Sequence, residues 1–172
     1  ALTPTPRNTA SPTHVCGSAE VFAPDLFISE YIEGSSFNKA LEIYNGTGAD
    51  VDLSAYKVEL YSNGASSPTH AITLFGTLAH GEVFVLAHAS ADPAILAVAD
   101  LTNNNVANWN GDDAIALRKV ADNDTVDVFG QIGDRPSNYW GTPPNTTQDH
   151  TLTRLATICE GDPDGSDPFD PV

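Results

Sequence analysis

The residues best suited to chemistry in this chain are carboxylates, and they fall into three groups. Asp162-Pro163-Asp164-Gly165-Ser166-Asp167 alternates acids around a glycine that permits a sharp bend. That is the front half of a calcium-loop pattern, without the distal bidentate Glu or the flanking helices. Asp162, Asp164 and Asp167 are therefore candidate calcium ligands; the alternative is a solvated acidic tail. Asn110-Gly111-Asp112-Asp113 offers Asp112 and Asp113 to a hard cation, although Asn-Gly is first a turn signal requiring positive φ. Glu30, Glu33 and Glu42 lie in strand-like sequence. If Ile28 and Ile32 face inward, Glu30 does so by parity, and a buried carboxylate needs a partner such as Lys39 or cross-strand N–H groups. Paired carboxylates also serve glycosidases, but acids spaced along a strand are common.

Other catalytic patterns are absent from the sequence. His14, His70, His80, His88 and His150 form no HExxH or His-x-His spacing, and no Gly-x-Ser-x-Gly elbow occurs. No catalytic residue is assigned. Trp109, Tyr139 and Trp140 stand in loop-like sequence, as plugs of a β-sandwich end or as a stacking platform for a sugar or base. Cys16 and Cys159 sit near opposite ends of the chain in no metal-binding spacing. They read as one disulfide in a secreted protein; the alternative is two buried thiols in a cytosolic one.

The elements that must position these groups are strands. Leu26–Glu33 is rich in β-branched and aromatic residues, Lys39–Asn45 and Lys57–Tyr61 alternate in polarity with period two, and Gly34-Ser35-Ser36 and Asn45-Gly46 interrupt the runs. Leu41 and Ile43 share one face of the second run, with Glu42 and Tyr44 on the other. Further strands are expected at His70–Phe75, Glu82–His88, Asp113–Lys119, Thr125–Phe129 and Thr151–Leu155. The expected inward pairs are Ile72 and Leu74, Val83 and Val85, Ile115 and Leu117, and Val126 and Val128. One short helix is expected, with Asp92 as cap and Pro93 at its first position, over Ala94–Ala99. The pattern predicts an all-β antiparallel sandwich with that one helix. Residues 1–15 read as Pro-rich linker and residues 16–172 as the domain, ending in an acidic Pro/Gly-rich tail from Glu160.

The segments LFISEYIEG, NKALEIYNGTG, VDLSAYKVELYSNG, NGDDAIALRK and DVFGQIGD resemble the lamin-tail domain of secreted bacterial proteins, often found beside extracellular nuclease domains. The resemblance runs from about Leu26 to Asp134, with the tail TLTRLATICEGDPDGSDPFDP less close. It implies an immunoglobulin-like fold and a non-catalytic accessory or interaction domain. Relatives usually carry more basic residues in the last strand, where Thr153 and Leu155 flank Arg154 here, so nucleic-acid contacts are not carried over.

Charge and composition narrow the partners. Seven Lys and Arg face 23 Asp and Glu, a net charge of −16. Nucleic-acid affinity rests on basic residues displacing counterions, so autonomous nucleic-acid binding is not expected. No apolar run approaches the about 20 residues of a membrane span. A chain that opens ALTPTPRNTASPTH and contains no Met reads as a mature product or an excised fragment. The expectation is a secreted accessory domain of a larger nuclease or hydrolase, binding a protein or an extracellular polymer. The alternative is a calcium-dependent carbohydrate- or surface-binding module.

Overall fold

A computed structural model of the protein describes residues 22–171. The linker and Cys16 fall outside these residues. Strands β1 (Phe27–Glu33), β2 (Lys39–Tyr44), β3 (Val51–Asp52), β4 (Tyr56–Tyr61), β5 (His70–Thr73), β6 (Thr77–Leu78) and β7 (Val83–Ala87) precede the short helix α1 (Pro93–Leu96). β8 (Leu101–Thr102), β9 (Ala114–Lys119), β10 (Thr125–Phe129), β11 (Gly141–Thr142), β12 (Asn145–Thr146) and β13 (His150–Thr153) come after it. A five-stranded sheet in the order β13-β1-β2-β7-β8 faces a four-stranded sheet in the order β10-β9-β4-β5. Every pairing is antiparallel except β7 with β8. This is the expected all-β sandwich.

The core between the sheets is built from alternate residues, as period two requires. Leu41 and Ile43 from β2, Val58 and Leu60 from β4, and Ile115 and Leu117 from β9 are fully buried in it. Tyr31 stacks on Phe129 with ring centroids 4.0 Å apart. Trp109 closes one end, its indole N–H donating to the Ile32 carbonyl at 3.0 Å.

Three inward assignments change. Register slips between Ile28 and Glu30, so Tyr31 follows Ile28 into the core, while Ile32 packs on the sheet's other face. A bulge inserts one residue and reverses the parity beyond it. In β7 the core takes Phe84 and Leu86, whereas Val83 and Val85 lie on the opposite face with Ala40, Ala87 and Ile95 of α1. Both faces of that strand are covered, so alternation could not tell inside from outside. A second slip, between Thr125 and Asp127, separates Val126, against the main core, from Val128, on the far face of its sheet.

Turn and cap chemistry also differs in detail. Asp92 precedes α1 as expected, but its side chain does not cap the helix. It instead accepts from Asn38 Nδ2 at 2.8 Å, while its own N–H donates to Asn38 Oδ1 at 2.8 Å. Neither Asn110 nor Gly111 has positive φ. A Cβ on Gly111 would press against the backbone of Gln148, so close packing explains this glycine.

The tail contributes most that is new. It lies along β10 as a strap: the N–H groups of Val128 and Ile132 donate to the carbonyls of Asp162 and Gly165 at 2.8 and 2.7 Å. A Cβ on Gly161 would collide with the Val126 carbonyl, so only glycine allows this approach. Phe169 then packs between Phe129 and Trp140, with centroids 4.8 and 5.9 Å away. The strap thereby covers a sheet edge that would otherwise stand open.

Candidate functional site

The buried charges are committed to holding the fold. Asp127, fully buried, accepts from Arg154 Nη2 at 2.9 and 2.8 Å, from the Ile28 N–H at 2.7 Å and from the Asp162 N–H at 2.8 Å. Burial pushes its carboxyl pKa up, opposed by Arg154 and those N–H groups. Glu33 pairs with Lys39, both buried, and accepts from the Asp149 N–H. Lys39 thus serves Glu33, and not Glu30, for which Lys39 or cross-strand N–H groups are the expected partners. Glu59 is held by Lys57 at 2.7 Å, Arg118 at 3.1 Å and the Tyr61 hydroxyl at 2.6 Å. That hydroxyl's pKa is pushed up to about 12 by burial and by Glu59. An acid or base with its lone pairs so occupied is poorly placed to exchange protons with a substrate.

Glu30 and Glu42 are acids that meet across the first two strands. They are directly opposed across β1 and β2, both half-buried. Glu42 accepts from Ser29 Oγ at 2.7 Å, and Glu30 from Thr153 Oγ1 at 3.4 Å. Burial, then the charge of Glu42, raises the Glu30 pKa above its usual 4.5, against the Thr153 bond. They lie on the outer face of a sheet, and the hydroxyls beside them, Ser29 and Thr153, donate to the carboxylates.

Four of the five proposed cation ligands, Asp112, Asp113, Asp162 and Asp164, have other partners in the structure. Asp112 accepts from Arg135 Nε at 2.8 Å. Asp113 accepts from the N–H groups of Asn63 and Asn110, at 2.6 and 2.8 Å, pinning the loop before β9. Along the strap Asp162 accepts from the Asp164 N–H, and Asp164 from the N–H and hydroxyl of Ser166. Among the described residues no three His, Cys, Asp or Glu side chains are placed to share one metal ion.

The aromatic platform does not assemble. Trp109 is fully buried and Trp140 nearly so, leaving only Tyr139 partly accessible. The first two are plugs: rings enclosed by their own fold have no face left for a ligand. The disulfide expectation falls on Cys16, outside the described residues; no cysteine among those described is a free thiol.

Two features escaped the sequence reading. One is the Asp127–Arg154 clamp, because alternation in Thr125–Phe129 sends Asp127 to solvent if Val126 and Val128 point inward. The other is the shape left at the surface. A cleft of about 570 Å³ opens where Asp25, Lys119, Asp122, Asp124 and Glu160 meet, with Lys119 bound to Asp25 at 2.7 Å. Among the described residues nothing covers the free side of β5, three of whose four residues are exposed.

Two packed sheets, antiparallel but for the β7–β8 pair, with one short α-helix among the described residues, define an immunoglobulin-like β-sandwich domain. Residues 22–133, more than half of the chain, match the family model of the Lamin Tail Domain. The chain belongs to that family. The match stops before β13 and the strap, both of which pack onto the matched core. No curated protein matches the chain. No helix among the described residues is long and apolar enough to cross a membrane.

Proposed function

We propose that this lamin tail domain is a non-catalytic interaction module of a secreted bacterial protein, accessory to an extracellular nuclease or hydrolase domain. One observation carries the reading: the buried carboxylates Asp127, Glu33 and Glu59 are all held by cations and by N–H or hydroxyl donors within the fold. What the domain offers a partner is shape, backbone and negative charge. The partner is a protein or an extracellular polymer. Fluorescence anisotropy with short labelled DNA and RNA at about 0.15 M salt tests the nucleic-acid side of this. No binding is expected from a surface of net charge −16; micromolar affinity would overturn it. The coding sequence on either side tests the nuclease association.

A calcium-dependent surface module is the second reading. Its support is the crowding at the strap, where burial and the charges of Asp162 and Asp164 raise the Asp167 pKa. A divalent ion would relieve that repulsion.

A further inference from the structure

We propose that the free side of β5 takes an extended, basic peptide segment of a protein partner as an additional antiparallel strand. This deepens the interaction-module reading and rests on it. The first observation is how the sheet edges are treated. The strap covers β10 at one edge of the four-stranded sheet. In the other sheet β8 has only two residues. β13 is flanked at its start by the Gly141–Thr146 hairpin, through Thr146 and His150, and at its end by the loop that Arg154 Nη1 ties to the Glu160 carbonyl at 2.9 Å. At β5, paired only with β4, no described segment covers the outer side. Its sequence, His-Ala-Ile-Thr, holds no Lys, Asp, Glu or Pro, the residues with which edge strands commonly block further pairing.

Backbone geometry says what is on offer. The Leu74 N–H donates to the Tyr56 carbonyl at 2.9 Å, which makes that an inward, bonded position. By the alternation of an antiparallel ladder, Ile72 also bonds to β4, and the N–H and C=O groups of Ala71 and Thr73 point outward. These four groups can pair with an incoming strand. Phe75, just beyond β5 and 44% exposed, rests edge-on against Phe84 with centroids 6.1 Å apart and gives an apolar side chain somewhere to pack.

Charge selects the occupant. Asp52 is exposed beside the far end of β5, opposite Thr77 on β6. Exposed Asp134 stands beside Gly64, in the turn whose Ser62 meets Thr69 at the near end. No described cation pairs with Asp52 or Asp134, whereas nearby Lys57 and Arg135 are committed to Glu59 and Asp112. A second copy would bring another −16 to the seam; a segment alternating apolar residues with Lys or Arg brings the opposite charge.

The test uses the full chain and two eight-residue probes, one alternating Val with Lys and one alternating Val with Glu. Amide NMR shifts and hydrogen exchange are followed during titration. The Lys peptide should shift amides of residues 69–77 and slow exchange at Ala71 and Thr73; the Glu peptide should do neither. Ala71→Pro removes one outward N–H without touching the β4 ladder, and Thr73→Pro removes the other. Each should weaken binding at least tenfold at an unchanged melting temperature. Absence of Lys-peptide binding overturns the proposal, as does slowed exchange confined to residues outside 69–77. Peptide shifts elsewhere leave the interaction-module reading standing; a hydrolytic activity of the domain would remove it.

Discussion

Arg154 and Asp127 clamp the C-terminal segment, which lies beyond the family-matched core, onto that core. Besides the carboxylate of Asp127, the Arg154 guanidinium reaches the carbonyls of Ile28, through Nε at 2.8 Å, and Glu160, through Nη1 at 2.9 Å. One side chain therefore ties β1, β10 and the start of the strap together.

Arg154→Met should be among the most damaging changes in the protein. Removing one partner of a buried pair leaves a charge with insufficient compensation, a loss of about 3–5 kcal/mol. Arg154→Lys should recover little, because an ammonium cannot reach three acceptors in the guanidinium plane. Urea unfolding of the three proteins checks this; near-equal stability would show that the clamp contributes nothing.

Detaching the strap should be visible locally. Phe169→Ala removes a partly buried ring from between Phe129 and Trp140 and should lower stability by about 2 kcal/mol, below the range for fully buried aromatics. Gly161→Ala should act on the same segment through its collision with Val126. In both variants the amides of Val128 and Ile132 should exchange faster than those of Leu117. Unchanged protection at Val128 would mean that the strap is not held as described.

The facing of Glu30 and Glu42 carries a pH signature. A raised carboxyl pKa means that the fold favours the protonated form of Glu30. Its contribution is complete below the unfolded-state pKa and is lost as pH rises through the folded one. Glu30→Gln should therefore stabilise the protein by about 0.5 kcal/mol at pH 7, the scale of a cross-strand like-charge pair. The advantage should vanish below about pH 4. Melting curves between pH 3 and 8, on the order of the carboxyl titration range, decide it; a constant difference would contradict this electrostatic origin.

Much of the sandwich was legible because its strands alternate cleanly: Leu41 and Ile43, Val58 and Leu60, and Ile115 and Leu117 fall where period two puts them. Legibility failed where a bulge shifts the count, at Ser29 and Val126, and where both faces are buried, as in Val83–Ala87. A residue-level pattern has no memory of an inserted position. The strap was illegible for another reason. Asp-Pro-Asp-Gly-Ser-Asp has the composition of a solvated tail, and its docking depends on contacts with residues some 35 positions earlier, such as Gln131 Nε2 with the Ser166 carbonyl. The candidate ligands Asp112 and Asp113 were found by type, but their loop-pinning partners were not visible in spacing.

The proposed Cys16–Cys159 disulfide predicts lower thermal stability in reductant. A loop of that length gives an entropic stabilisation of about 4–5 kcal/mol in the chain-entropy model. Alkylation without reductant and then mass measurement should find no modified thiol; two modified thiols would end the proposal.

Calcium should raise the melting temperature more than sodium does at equal ionic strength, by up to about 2.7 kcal/mol of stability at 100 times the dissociation constant. Asp164→Asn should abolish the difference. An equal response to both ions would assign the effect to screening.

Catalytic silence is tested most directly by turnover. The purified chain is incubated with DNA, RNA and β-linked glycans, with and without added divalent cations, alongside folded Glu30→Gln and Glu42→Gln variants. No product above background is expected from any of the three proteins. Product formation by the parent chain that either substitution abolishes would make the Glu30–Glu42 pair an active site and contradict the interaction-module reading.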